Sequence, residues 1–302
     1  MATKIPTEIL IKILNNVQST QDLYSSLLVN RIWCKVTVPI LWELPLGQKC
    51  CTDNKKLKKK ALCIRTYISC MNIQARTLLI QNGFDLSSST PRATFDYPSF
   101  THKFIIDNLV EFIPIYSSRI SQQQIIVTIT KSRILFREIC KLIINCCTFL
   151  DCFKIMGLPK NYSKNFYNYN DLICSILELP GAPKVFKKLE SFTSITKNYG
   201  RIFPLYESLT LICDNILNMD LSLNTNSQVQ LLTKLISAQK RLENLSIVST
   251  QYQDYNLLFQ AIFSQKETLK RLSLRYVDFN YFEGKLPQIG QFISLQELYI
   301  EN

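Results

Sequence analysis

The chain has one histidine, His102, in 302 residues. Imidazole is the commonest metal ligand and the side chain that titrates nearest neutral pH. Base-activated catalysis and histidine-bearing zinc sites therefore have a single candidate. It stands in Phe100-Thr101-His102-Lys103, beside a cation and outside any catalytic motif, and reads as a surface or element-start residue. Glycine is scarce, seven in all, and neither G-x-x-x-x-G-K nor G-x-G-x-x-G occurs, so no phosphate cradle is expected. No apolar run approaches the roughly 18 residues of a membrane span, and Lys12 interrupts the N-terminal apolar stretch, so neither a membrane span nor a secretory signal is expected. These absences place the chain in the cytosol or nucleus. There its eleven cysteines, an odd number, read as reduced thiols. No C-x-x-C occurs, zinc needs clustered ligands, and no metal or other cofactor is expected. The sequons Asn161-Tyr162-Ser163 and Asn244-Leu245-Ser246 would not meet the glycosylation machinery inside a cell.

Acidic residues are also in short supply: 23 Asp/Glu against 35 Lys/Arg, a net charge of +12. Residues 1–90 hold twelve bases against five acids, centred on Lys55, Lys56, Lys58, Lys59 and Lys60. Such a run suits nuclear import or a nucleic-acid contact. No aromatic residue interleaves it for base stacking, which favours a solvated linker or helix start.

Apolar residues are plentiful in the first 42 positions. Ile9, Ile13 and Val17 recur at helical spacing with Leu10 and Leu14 beside them, and Pro6 suits a first helical turn. A second short helix is predicted over Gln21–Val29. A third runs from about Arg31 until Pro39 stops or kinks it. The apolar residues exceed what three short helices can bury, and the surplus needs a partner surface.

Ile5-Pro6-Thr7-Glu8, Asp22-Leu23, Val29-Asn30-Arg31-Ile32-Trp33 and Leu41-Trp42 together resemble the F-box, with departures at Ile5, usually Leu, and Asn30, often Cys. The resemblance covers residues 5–42. It implies docking on the adaptor subunit of an SCF-type cullin–RING ubiquitin ligase through Pro6, Ile9, Leu10, Ile13, Leu14, Leu23, Leu28, Val29 and Trp33. Some of these must instead pack the three helices together. Trp33 is the leading anchor by residue type.

From about residue 130 a unit Leu-x-x-Leu-x-Leu recurs: Leu150-Phe153-Ile155, Leu189-Phe192-Ser194, Ile216-Met219-Leu221, Leu242-Leu245-Ile247, Leu269-Leu272-Leu274 and Leu295-Leu298-Ile300. The first positions are spaced by 39, 27, 26, 27 and 26 residues; the long interval contains Lys160–Asn170, rich in Asn and Tyr. The last two positions of each motif fall on one side of a short strand. Helical patterns at Lys131–Cys146, Phe203–Cys213, Gln228–Ala238 and Asp254–Phe263 precede the strands. In the second motif Ser194 stands where an apolar residue belongs. This pattern resembles the leucine-rich repeat. Cys147 and Cys213, three residues before a motif, sit at that family's buried cysteine position, and its polar cap residue is kept at Asn224 but lost at Thr250 and Val277. The vicinal pair Cys146-Cys147 thus reads as a helix end and a buried repeat position rather than a redox pair.

The fold class expected is α/β: a three-helix F-box over 1–45, a mostly helical connector over 46–123 carrying the basic run, and a right-handed leucine-rich-repeat solenoid with a parallel sheet over 124–302. Within the connector, helices are predicted over Leu62–Ile80 and Thr101–Phe112 up to Pro114, a loop over Ser87–Pro98, and a first solenoid strand over Ile125–Ile129. The chain stops at Asn302 directly after a strand, without the polar terminal unit that closes a solenoid. This suggests either a longer natural chain or a truncated gene, and poor protection near Leu295–Ile300.

The two resemblances together imply a non-catalytic substrate receptor of an SCF ligase. Its partners are the adaptor, through it the cullin and RING subunits, and an unnamed protein substrate; no membrane is involved. In the repeat family the outward strand positions form the concave face. Here they are Lys154, Asn218, Asp220, Ser222, Asn244, Ser246, Arg271, Ser273, Arg275, Glu297 and Tyr299. Lys154, Asp220, Asn244, Arg271, Arg275 and Tyr299 are the substrate-binding candidates, and Arg271 and Arg275 could receive an acidic or phosphorylated segment or simply be solvated. The alternatives are a basic nucleic-acid-associated repeat protein and an F-box scaffold acting outside the ligase.

Overall fold

The computed structural model describes residues 5–47, 54–86, 93–120, 125–157, 169–195, 203–249, 255–277 and 286–301. Three helices open it: α1 (Thr7–Asn15), α2 (Thr20–Ser26) and α3 (Arg31–Trp42). Side chains fix their starts. Ser19 accepts from the Asp22 amide, and Asn30 accepts from the Ile32 and Trp33 amides at 2.9 and 3.0 Å. Asn30, one of the departures from the F-box pattern, is thus a helix cap. Of the two outcomes expected at Pro39, a stop is excluded, since α3 runs through it to Trp42. The proline's missing N–H removes one backbone bond, and packing of Val36, Ile40 and Leu41 into the three-helix core carries the helix onward.

Four more helices follow: α4 (Asn54–Cys70), α5 (Ile73–Gln81) and α6 (Ile106–Ile120) in the connector, and α7 (Ile125–Cys146) just beyond it. The lysine run falls on the first turns of α4. The single helix predicted over Leu62–Ile80 is broken at Met71-Asn72, because the Asn72 side chain accepts from the Ala75 amide and starts α5. The helix predicted over Thr101–Phe112 instead opens with a strand, β1 (Lys103–Ile105), and α6 then runs through Pro114. Ile125–Ile129 is the start of α7, not a strand. Its β-branched residues favour strand locally, and the longer helical pattern through Cys146 overrides them. Positions 87–92 of the predicted loop, the sequon at 161–163, position 250 and most of Lys160–Asn170 lie outside the described residues.

Among the described residues, seven strands form one parallel sheet in sequential order: β1, β2 (Cys152–Ile155), β3 (Ser191–Ser194), β4 (Asn218–Leu223), β5 (Asn244–Ser249), β6 (Arg271–Arg275) and β7 (Glu297–Glu301). The sheet therefore begins inside the predicted connector, at Lys103, rather than after residue 124. The motif positions line up across it. Phe104, Phe153, Phe192, Met219, Leu245, Leu272 and Leu298 occupy one register row. All but Leu298, 44% exposed on the last strand, are buried in a core shared with α6, α7 and the helices Tyr169–Leu177, Phe203–Ile212, Asn226–Ser237 and Tyr255–Phe263. Each fully buried aromatic or leucine in this core contributes about 2–3 kcal/mol of apolar transfer. Ser194 keeps the inward position, and its hydroxyl meets the buried Tyr206 hydroxyl at 2.7 Å.

The three-helix unit is tied to the sheet. Trp42 packs on Tyr67 and Tyr97 at ring-centroid distances of 5.7 and 4.4 Å. The Glu43 carbonyl accepts from the His102 and Lys103 amides, and its carboxylate pairs with Lys103 at 2.8 Å.

Candidate functional site

Two surfaces carry candidate residues. The first is on the N-terminal helices. Their core is small: Leu10, Leu14, Leu23 and Val36, with Val17, Trp33, Ile40 and Leu41 partly buried around it. Ile9 and Ile13 lie one residue before Leu10 and Leu14, and 100° of helix separates the two stripes. The inner pair is 1% exposed and the outer pair 46%. Pro6, Leu28 and Val29 are also exposed, Leu28 at 88%. The adaptor-binding candidates therefore divide. Pro6, Ile9, Ile13, Leu28 and Val29 face solvent. Leu10, Leu14 and Leu23 are turned inward, and Trp33 is half-buried in the same core, so these four first serve to hold the unit together. Ile5, Ile11, Tyr24 and Ile32 were not among the candidates, and all are exposed. Spacing alone could have raised Ile5, which precedes Ile9 by four residues.

The second surface is the helix-free face of the sheet. Its outward positions run in rows. Asp220, Ser246, Ser273 and Tyr299 face one another across β4 to β7, and Asn218, Asn244, Arg271 and Glu297 form the row before them. The two rows line a cavity of about 330 Å³. Of the candidates, Asp220, Asn244, Arg271 and Tyr299 come together there; Lys154 and Arg275 do not line it. Ser222 is buried, its hydroxyl donating to the Ser194 carbonyl at 3.3 Å. Arg271 is not a free cation: its Nε donates to Glu297 Oε1 at 3.1 Å. The sequence held that signal, because residues 271 and 297 occupy the same position in consecutive repeats. Arg275 donates through Nη2 to the Ser246 hydroxyl at 3.3 Å, and its buried Nε has no partner among the described residues. The Asn244 side chain donates through Nδ2 to the Asn218 Oδ1 at 2.6 Å. Asp220 accepts one long bond, 3.4 Å from the Thr193 hydroxyl, and has no ion-pair partner among the described residues. Tyr299 is exposed and its hydroxyl donates to Glu301, which raises its pKa.

A further cavity of about 320 Å³ lies between α5 and α7, beside Ala75, Leu78 and Leu142. Its charged residues, Glu138 and Lys141, already pair with each other at 2.6 Å.

Reactive chemistry finds little support. Burial pushes the Cys146 thiol up to about 11 and the Cys147 and Cys213 thiols to about 12, the reverse of nucleophile activation. Cys147 donates to the Ile143 carbonyl and Cys213 to that of Phe186, as packing residues do. His102 stacks on Phe149 with ring centroids 4.7 Å apart. No group of three or more metal-ligating side chains occurs among the described residues, and no described helix is long and apolar enough to cross a membrane.

In comparison with known families, a model of F-box-like domains matches residues 2–45. No curated protein matches the chain.

Proposed function

We propose that the chain is a substrate receptor of an SCF-type cullin–RING ubiquitin ligase. The N-terminal helices dock on the adaptor subunit, and the sheet, read as a degenerate leucine-rich-repeat solenoid, holds a protein substrate on its helix-free face. The receptor performs no chemistry. It tethers substrate lysines near the charged E2 and so raises their effective concentration. It works in the cytosol or nucleus.

One observation carries this reading. Eight of the large apolar side chains exposed among the described residues fall between Ile5 and Ile32, on the segment that the F-box-like model matches. A stable monomer has no use for that cluster, and a partner does. Within it Ile9 and Ile13, four residues apart, form the outer stripe of α1.

The test uses Ile9→Asp with Ile13→Asp. Both side chains are exposed, so the variant keeps its fold by circular dichroism, and pull-down of the adaptor from native cell extract falls at least tenfold. Undiminished pull-down by the folded variant sinks the assignment. Scoring the cullin in the same pull-down separates a ligase subunit from an F-box scaffold acting alone.

A further inference from the structure

The lysine run is the strongest charged feature that the adaptor and substrate surfaces leave unused. Lys55, Lys56, Lys58, Lys59 and Lys60 fall within six consecutive residues. The fold places them on the first two turns of α4. For cations this is the least favourable part of a helix. The N-terminus carries the positive end of the dipole, where acids are stabilising, and α4 has no acid in its first turn. Lys55 and Lys59, and Lys56 and Lys60, stand four residues apart, so like charges fall at neighbouring helix positions. No Asp or Glu occurs anywhere in residues 54–70, which also hold Arg65. The helix thus has six cations and no carboxylate of its own to offset them. A solvated helix start gains nothing from such a run and is weakened by it.

The rest of α4 is anchored without the run. Ile64, Tyr67 and Ile68 are fully buried, and the Tyr67 hydroxyl meets that of Thr101 at 3.0 Å. The Cys63 thiol donates to the Pro45 carbonyl at 3.4 Å. Leu62, just before these contacts, is exposed. The first two turns can therefore open while the anchored turns stay in place. Opening relieves the repulsion and turns the six residues into an extended segment about 20 Å long. Nucleic acid suits the run less well than a protein groove does. No aromatic side chain interleaves it for stacking, and no arginine within it offers a bidentate phosphate contact.

We propose that residues 54–60 are a nuclear-import signal, taken in extended form by a carboxylate-lined groove of an import receptor. Lys56, Lys58 and Lys60 occupy one side of the extended segment, and Lys55 and Lys59 the other. The receptor's carboxylates supply the charge-assisted partners that α4 lacks. Binding unwinds the first two turns and leaves the helix seated from Cys63 onward. The inference goes beyond the ligase reading and assigns the chain to the nucleus.

The test uses the full chain, carried as a fusion too large to diffuse passively into the nucleus. The variant combines Lys55→Gln, Lys56→Gln, Lys58→Gln, Lys59→Gln and Lys60→Gln. Its circular dichroism matches the wild type, because the anchored part of α4 is untouched. The nuclear-to-cytoplasmic ratio falls at least fivefold in the variant. A purified import receptor of the class that reads lysine-rich signals retains the full chain and not the variant. Leu57→Pro, which disfavours helix within the run, keeps retention at or above the wild-type level. An unchanged nuclear ratio, no retention of the full chain by the receptor, or loss of retention in a folded Leu57→Pro protein overturns the proposal. Tighter retention on a random-sequence DNA duplex than on the receptor at physiological salt does so too. Adaptor pull-down is scored on the same glutamine variant and stays at the wild-type level, since Ile9 and Ile13 are intact. Failure of the import signal and failure of the ligase reading are thereby told apart.

Discussion

The N-terminal helices and the sheet are built from the same aliphatic residues and place them in opposite ways. In the sheet, each strand adds one residue to a row, and the row from Phe104 to Leu272 is buried throughout. In α1, adjacent stripes divide, Leu10 and Leu14 inside and Ile9 and Ile13 outside. Stacking explains the difference. A strand that cannot cover its own apolar face is covered by the next unit, whereas three short helices have no next unit and leave several apolar side chains in water. An apolar residue therefore means core in one region and docking surface in the other.

The strongest way to break this contrast is to remove a ring from the sheet's row. Phe153 is fully buried and touches Phe104, Phe186 and Phe192 at centroid distances of 5.2 to 6.1 Å. Phe153→Ala is expected to cost about 4 kcal/mol, read as a lowered urea midpoint, and a cost under 1 kcal/mol would show that the row is not a continuous core. The contrast inside α1 is the next test. Leu14→Ala should cost about 3 kcal/mol, while Ile13→Ala, one position away, stays within about 0.5 kcal/mol. Equal costs would mean that Ile13 is buried too, and the proposed docking face would lose one of its residues.

Alkali probes the same difference, since the sheet body buries thiols whose pKa values burial raises. Burial lifts Cys147 and Cys213 from 9.0 to about 12. Between those values the unfolded chain has lost both protons and the folded chain keeps them, so stability falls as pH rises through 9 and levels off near 12. At about 1.4 kcal/mol per unit for each thiol, raising the pH from 8 to 10 should remove roughly 3 kcal/mol. Substituting both cysteines by alanine should lessen the slope by about that amount, the remainder belonging to other buried thiols such as Cys140 and Cys146, and a flat wild-type curve would mean that the thiols ionise freely in the folded state.

The sheet was legible wherever the repeat was regular. A period of 26 or 27 residues with two inward positions per strand located β3 to β7, the same motif found β2 across an interval of 39, and the pattern foretold the inward place of Phe192 and Leu245. It failed at β1, where three residues in front of a helix carry too little pattern, and at Ile125–Ile129, where β-branched residues sit in a helix. The N-terminal segment was legible as a motif but not as a surface. Ile9 and Leu10 have nearly the same side-chain chemistry, and only the packing of α3 decides which one faces inward. Arg271 shows a different shortfall: considered singly it is a free cation, and considered with its repeat equivalent Glu297 it is half of an ion pair.

Gln239 sharpens the comparison within the sheet itself. The repeats that begin at Leu150 and Ile216 carry a cysteine three residues earlier; the one that begins at Leu242 carries Gln239 there. The glutamine is buried, and its amide does more than the thiols. Its Oε1 accepts from the Ile216 amide at 2.9 Å, and its Nε2 donates to the Cys213 and Leu235 carbonyls at 3.0 and 2.8 Å. It thus bonds two consecutive turns of the chain, where Cys147 and Cys213 reach one carbonyl each. Gln239→Met keeps the volume and strips the polar atoms, leaving a buried N–H and two carbonyls unanswered. The expected cost is about 2 kcal/mol, smaller than that of the ring, with hydrogen exchange at Ile216 rising along with it. If stability is unchanged and Ile216 stays protected, the glutamine is only a filler like the cysteines, and apolar burial alone holds these two units in register.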